Sequence, residues 1–147
     1  MHNIQLKILD QRIQDIQLTK GTDQSAGYDL HACIDQQITL APNRTHKIPS
    51  GIAIYMADPS MAALILPRSS WGCKGLILAN TIGLIDADYQ GQIFMMMSNR
   101  SQTDITINPL DRIAQLIFIN VLHPKLESVK HFPATERGEQ GFGSTGS

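Results

Sequence analysis

The stretch "ITINPLDRIAQLIFINVL", residues 105–122, decides the fold. It opens with Ile105 and Ile107 on either side of a threonine, the two-residue period of a β-strand with one buried face. "NPLD" at 108–111 follows as a turn signal, and with leucine rather than glycine at its third position a type I turn is expected over type II. "RIAQLIFINVL" at 112–122 is then too continuously apolar for a strand with one wet face. Such a strand is expected to be buried on both sides, within a barrel and against another subunit.

The rest of the chain repeats these elements. Alternating pairs recur at Ile4/Leu6/Ile8, Ile38/Leu40 and Ile52/Ile54, and "QIFMMM" at 92–97 is a second doubly apolar run. Turn signals separate them, "APN" at 41–43 and "ADPS" at 57–60 among them. No window keeps helical apolar spacing with caps for three turns, and a single brief helix is expected at "SSWGCKG", 69–75, capped by Ser69 or Ser70. Many short strands with close turns read as an all-β sandwich or jelly-roll-like β-barrel. At 147 residues the chain is expected to form one domain with its own core. The end, "RGEQGFGSTGS" at 137–147, is a glycine-rich polar run around one large ring, Phe142.

Composition excludes several functions. With 12 Lys+Arg against 13 Asp+Glu there is no global positive field to draw the chain onto nucleic acid or an anionic membrane. Cys33 and Cys73 stand far apart without metal-ligand spacing. The longest apolar run, "MAALIL" at 61–66, is far short of a membrane span, and no basic-then-apolar leader opens the chain, so a cytoplasmic protein is expected. The sequons at Asn43 and Asn99 read as chance occurrences. No HExxH, phosphate-binding P-loop or Ser/His/Asp order occurs.

Four stretches carry candidate chemistry, and each has a plainer reading. "AGYDL" at 26–30 sets Asp29 at a strand start, either as a site acid or as a solvated, turn-capping carboxylate. "LPRSS" at 66–70 brings Arg68 and two hydroxyls to a helix start, a seat for an oxyanion or simple capping beside a surface arginine. "ANTIGLIDADYQGQI" at 79–93 reads as a β-hairpin with Asn80 and Tyr89 near its base and Asp86 on the returning arm. Asn offers a donor and an acceptor, Tyr an amphipathic plate and Asp a base, a set suited to a polar heterocycle with its sugar, or else to an ordinary hairpin facing water. In "DRIAQLIF" at 111–118, Arg112 and Gln115 interrupt an apolar strand; Arg112 is expected at an interface and Gln115 in a site.

In this order "AGYDL", "PRSSWGCKG", "NTIGLIDADYQG", "RIAQLI" and "RGEQGFGSTG" resemble the five ordered motifs of the trimeric dUTP diphosphatases, across residues 26 to 146. The resemblance implies a homotrimeric jelly-roll-like barrel over residues 1–136 and a flexible C-terminal arm over 137–147 that closes an active site at a subunit junction. It implies hydrolysis of dUTP to dUMP and pyrophosphate, with Mg²⁺ bound mainly through the substrate's triphosphate. Asp86 then resembles the base that deprotonates the attacking water. Asn80 and main-chain groups around Leu84, Ile85 and Phe94 resemble the uracil-reading set, and Tyr89 the ring under the deoxyribose. Arg68, Ser69, Ser70 and Gln115 match phosphate contacts, and Asp29 resembles an acid that meets the magnesium shell only through water. From the arm, Phe142 would stack on uracil while Arg137, Ser144 and Thr145 wrap the terminal phosphates. The chain departs from the family pattern at Ser70, Leu110 and Gln140, each in the place of a frequent glycine. The related dCTP deaminases share the trimeric fold but use a glutamate where this chain has Met96, and "IFMMMSN" holds no acid. A dUTP-binding regulatory protein of the same fold is the other alternative; both Asp86 and the tail would be dispensable to it.

Overall fold

The computed structural model describes residues 3–16 and 18–139. Ten strands and two short helices follow one another: β1 (Gln5–Ile8), α1 (Gln11–Ile16), β2 (Tyr28–His31), β3 (Ile38–Leu40), β4 (Thr45–Tyr55), β5 (Met61–Pro67), α2 (Ser69–Gly72), β6 (Leu76–Leu78), β7 (Gly83–Ile85), β8 (Gln92–Asn99), β9 (Ile105–Ile107) and β10 (Arg112–Asn120). They form two four-stranded sheets, ordered β1-β4-β8-β6 and β2-β10-β5-β7, with β3 and β9 as a small third pair. All their pairings are antiparallel. Ile48, Ile52, Ile65, Leu76, Ile93, Met95, Met97, Ile107 and Ile113 fill the space between the sheets. A jelly-roll-like barrel results, as the alternation requires.

β8 buries one face, whereas β10 buries the consecutive Ile113 and Ala114 at its start and a single face further along. Along β8, Ile93, Met95 and Met97 are core residues while Phe94 is half-buried and Met96 exposed. Along β10, Leu116 is buried but Ile117, Phe118 and Ile119 are only half-buried. One chain therefore leaves an apolar outer face on both sheets. Regular structure ends at Asn120, and the segment beyond it carries Leu122, Leu126 and Phe132 almost fully exposed.

Four local expectations are corrected. First, α1 is a second helix: Asp10 accepts the Arg12 N–H at 3.0 Å as an N-terminal cap, and only Ile13 of its six residues is buried, so the apolar pattern is too short to register as periodic. Second, α2 spans four residues, and neither serine caps it. Arg68 occupies the N-cap position in extended conformation, without a side-chain cap, and its carbonyl takes the N–H groups of Trp71 and Gly72. Third, the turn at 108–111 is not type I. Leu110 adopts φ +64°, as a type II turn requires at its third position, because its N–H bonds Ala32 O at 2.8 Å and its side chain packs on the core. Fourth, the hairpin over 79–93 does not form. β7 pairs with β5 and β8 with β4 and β6, so the segment links the two sheets. The reason is packing: Gly83 lies so close to Ile65 that a Cβ there would stand 3.0 Å from the isoleucine, which ties β7 to β5.

Asn99 is fully buried, so its sequon is no acceptor. Its amide nitrogen donates to Leu40 O and Thr103 O at 2.8 Å, and its carbonyl accepts from the Ser101 N–H and hydroxyl. Among the described residues no helix is long and apolar enough to cross a membrane.

Candidate active site

The motif residues fall into two groups on the β2-β10-β5-β7 sheet and its neighbours. The first gathers where β2, β10 and the end of β5 meet. Asp29 pairs in register with Gln115 on β10, and Gln115 in turn with Leu66 on β5, so the three side chains share one face. Gln115 lies flat across Gly27, where a Cβ would come within 2.8 Å of its side-chain oxygen; the glycine of "AGYDL" is there for that approach.

Asp29 is not a solvated carboxylate. It is 6% exposed, with Arg68 Nη1 at 2.5 Å from one oxygen and Arg112 Nη1 at 3.1 Å from the other. The Arg112 contact is a proper hydrogen bond, whereas the Arg68 contact is an ion pair without hydrogen-bond alignment. Arg112 is therefore engaged within its own chain. His31 is also buried, and its Nδ1 has no hydrogen-bond partner. Burial holds the His31 pKa below the usual histidine range, and the Arg112 and Arg68 cations act in the same direction against the pull of Asp29. Ser69 and Ser70 stand exposed beside this cluster at the start of α2.

The second group lies at the other end of β5. Ile85 pairs with Ala63, and Asp86 follows it, exposed, in the link to β8. Leu84, Ile85, Asp86, Tyr89, Gln92 and Phe94 line a cavity of about 210 Å³. Across β7 a larger cavity of about 530 Å³ is bounded by Tyr55, Met61, Leu84, Asp86 and His123, so Asp86 stands on the rim between the two. Tyr89 is held by a 3.0 Å bond from its hydroxyl to Gln92 O, and its ring lies over Gly91, where a Cβ would come within 2.5 Å of the phenolic oxygen. One face of the Phe94 ring is taken by Lys47, whose ammonium stands 3.9 Å from the ring centre. Asn80 is exposed just past β6, anchored where the Ala79 N–H bonds Met96 O at 2.7 Å, and it is not among the residues lining either cavity. Thr81 beside it takes φ +62°, a costly conformation for a β-branched residue.

Within one chain the two groups stand toward opposite ends of β5. Asp86 lies level with Ala62 and Arg68 follows Pro67, six residues along β5, which is about 20 Å at the strand rise. Of the arm, Arg137 is described and exposed; Phe142, Ser144, Thr145 and Gln140 lie outside the described residues.

No cluster of three or more His, Cys, Asp or Glu able to hold a metal occurs among the described residues. Asp29 has both oxygens engaged by arginines, which fits an outer contact to a cation carried on a ligand's phosphates and does not fit a cage built by the protein.

His31 and the double clamp on Asp29 escaped the sequence reading. The available signal was the two-residue spacing of Asp29 and His31, which places both on one face of β2.

The two sheets define a β-barrel of the jelly-roll-like class. The family model described as dUTPase matches residues 14–146, and the chain belongs to the dUTPase family. It is 55% identical over 150 residues to the deoxyuridine 5'-triphosphate nucleotidohydrolase of Legionella pneumophila strain Paris, covering 99% of each chain. Among solved structures, a Staphylococcus bacteriophage 80alpha dUTPase mutant with dUpNHpp superposes with a TM-score of 0.85 at 24% identity, covering 100% of both chains. A mutant dUTPase of the Staphylococcus aureus phage phi11, reported for the coordination of a structural Mg(II) ion, superposes with a TM-score of 0.77 at 20% identity over 90% of this chain and 99% of that one. These likenesses show the fold.

Proposed function

We propose that the protein hydrolyses dUTP to dUMP and pyrophosphate at sites completed between three copies of the chain. The observation that carries this reading is Asp86, an exposed carboxylate on the rim of a cavity of about 210 Å³, large enough for a pyrimidine base, in a chain of the dUTPase family. The backbone at Leu84, Ile85 and Phe94, on the cavity, and Asn80, which stands outside its lining, are assigned donor and acceptor recognition of uracil. Tyr89 is the plate beneath the deoxyribose and leaves no room for a 2′-hydroxyl.

Arg68, Ser69, Ser70 and Gln115 form the phosphate end. About 20 Å of β5 main chain separate it from the level of Asp86, which supports sites shared between copies of the chain. The apolar outer faces of β8 and β10 and the exposed Leu122, Leu126 and Phe132 supply surface for such assembly.

In the reaction Asp86 accepts a proton from the water that attacks the α-phosphorus, and the departing pyrophosphate meets Arg68 and Arg137. Asp29, both of whose oxygens meet arginines, would touch a Mg²⁺ carried on the triphosphate only through water, and such an ion would supply charge neutralisation at the leaving group. The 137–147 arm closes over the bound nucleotide, with Phe142 on the uracil and Ser144 and Thr145 on the phosphates, and excludes water from the chain of phosphates. A cavity tight against C5 rejects thymine, and mismatched donors and acceptors reject cytosine. A cytoplasmic location belongs to the same reading.

The test is pyrophosphate release from dUTP, dCTP, dTTP and UTP in parallel. Turnover of dUTP alone supports the proposal. Binding of dUTP without turnover would favour a regulatory protein on the same fold. A chain deleted of residues 137–147 is expected to stay folded and lose nearly all turnover.

A further inference from the structure

We propose that Arg112 is the resident counter-ion of Asp29 and thereby leaves the charge of Arg68 to the substrate's phosphates. The inference rests on reading this end of the sheet as the phosphate seat. Asp29 is 6% exposed, and a carboxylate so buried must be paired. A single arginine would do this, yet two approach, one at each oxygen. The charges of Asp29, Arg68 and Arg112 sum to +1. Without Arg112 the sum is zero, and the guanidinium at the ligand's side is consumed by the carboxylate behind it.

The geometry divides the two arginines by role. Arg112 makes the aligned hydrogen bond to Asp29 at 3.1 Å from the first position of β10, beside the strand that carries the acid. Arg68 stands closer to the other oxygen, at 2.5 Å, on the extended residue that leads into α2; a guanidinium carries five N–H donors, so that one contact does not exhaust its fork. Asp111, the residue before Arg112, is engaged in its own turn, where a carboxylate oxygen accepts the Asn108 N–H at 2.7 Å. Arg112 is thus a positioning residue that acts through Asp29, and its effect is on the net charge presented to an anion.

The experiment is equilibrium binding of a non-hydrolysable α,β-imido dUTP to the full chain in excess EDTA, so that neither turnover nor divalent metal enters the readout. Wild type, Arg112→Gln, Asp29→Asn and the double variant carry net charges of +1, 0, +2 and +1 at the cluster. Arg112→Gln is expected to bind about tenfold or more weakly. The double variant is expected within about threefold of wild type, a rescue that loss of packing alone would not give. Asp29→Asn, which keeps both arginines, is expected to bind at least as tightly as wild type, and this holds as a test even should Arg112→Gln fail to fold. Equal binding by Arg112→Gln and wild type, a double variant no better than Arg112→Gln, or weakened binding by Asp29→Asn would each overturn the inference. Absence of binding by wild type would instead overturn the reading of the site, and the inference with it.

Discussion

Mixing two impaired variants should restore activity, because the groups proposed to act together lie about 20 Å apart along the main chain of β5 within one chain. Asp86→Asn keeps the shape and removes the base, for an expected loss of about 10² to 10⁴ in rate. Arg68→Ala removes a charged phosphate contact, for a loss of roughly 10- to 100-fold. Each alone spoils every site. In a mixed cyclic assembly of the proposed kind, however, each site would draw Asp86 from one chain and Arg68 from another. With equal amounts of the two variants, the chance that both contributed residues are intact is one half times one half, so about one quarter of the sites are whole. The two proteins are unfolded together, refolded, and assayed for dUTP hydrolysis against the separately refolded parents. Recovery to about 25% of wild type is expected from that arithmetic. A mixture no more active than the mean of its parents would refute the division of the site between chains.

Three further outcomes follow from the packing. Gly91→Ala places a Cβ against the Tyr89 ring, so kcat/KM for dUTP should fall by about 10- to 10²-fold and discrimination against UTP should weaken; unchanged discrimination would remove Tyr89 from its role. Asn99→Ala strips four side-chain hydrogen bonds from a fully buried position and should cost about 3 kcal/mol by denaturant unfolding, with a loss below 1 kcal/mol contradicting the network's role. The third outcome concerns pH. His31 is held in its neutral form by burial, so below about pH 6.5 the unfolded chain takes up a proton before the native one does, and stability should decline as pH falls from there. His31→Gln should flatten that limb, and an unaltered slope would place the acid sensitivity elsewhere.

The two-residue period made most strands legible: Ile38/Leu40, Ile52/Ile54 and Ile105/Ile107 all lie on strands with a buried face. Local pattern was weaker where partner choice decided the outcome. The 79–93 segment has the glycines and length of a hairpin, but Gly83 fits only against Ile65, and that contact with another strand cannot be read from the segment itself. Leu110 in the left-handed region was hidden for the same reason, since the bond from its N–H to Ala32 O outweighs the local preference. The site was legible as motifs in order. Its division between the two ends of β5 was not, because that depends on the register of β7 against β5, and neither was the double clamp on Asp29, which needs three strands in place.

The account turns most directly on where water attacks. Hydrolysis of dUTP in ¹⁸O-enriched water with Mg²⁺, with both products examined by mass spectrometry, measures this. The account predicts that the label enters dUMP and that pyrophosphate carries none. Label in pyrophosphate, or release of orthophosphate, would contradict attack at the α-phosphorus and the assignment of Asp86 as its base.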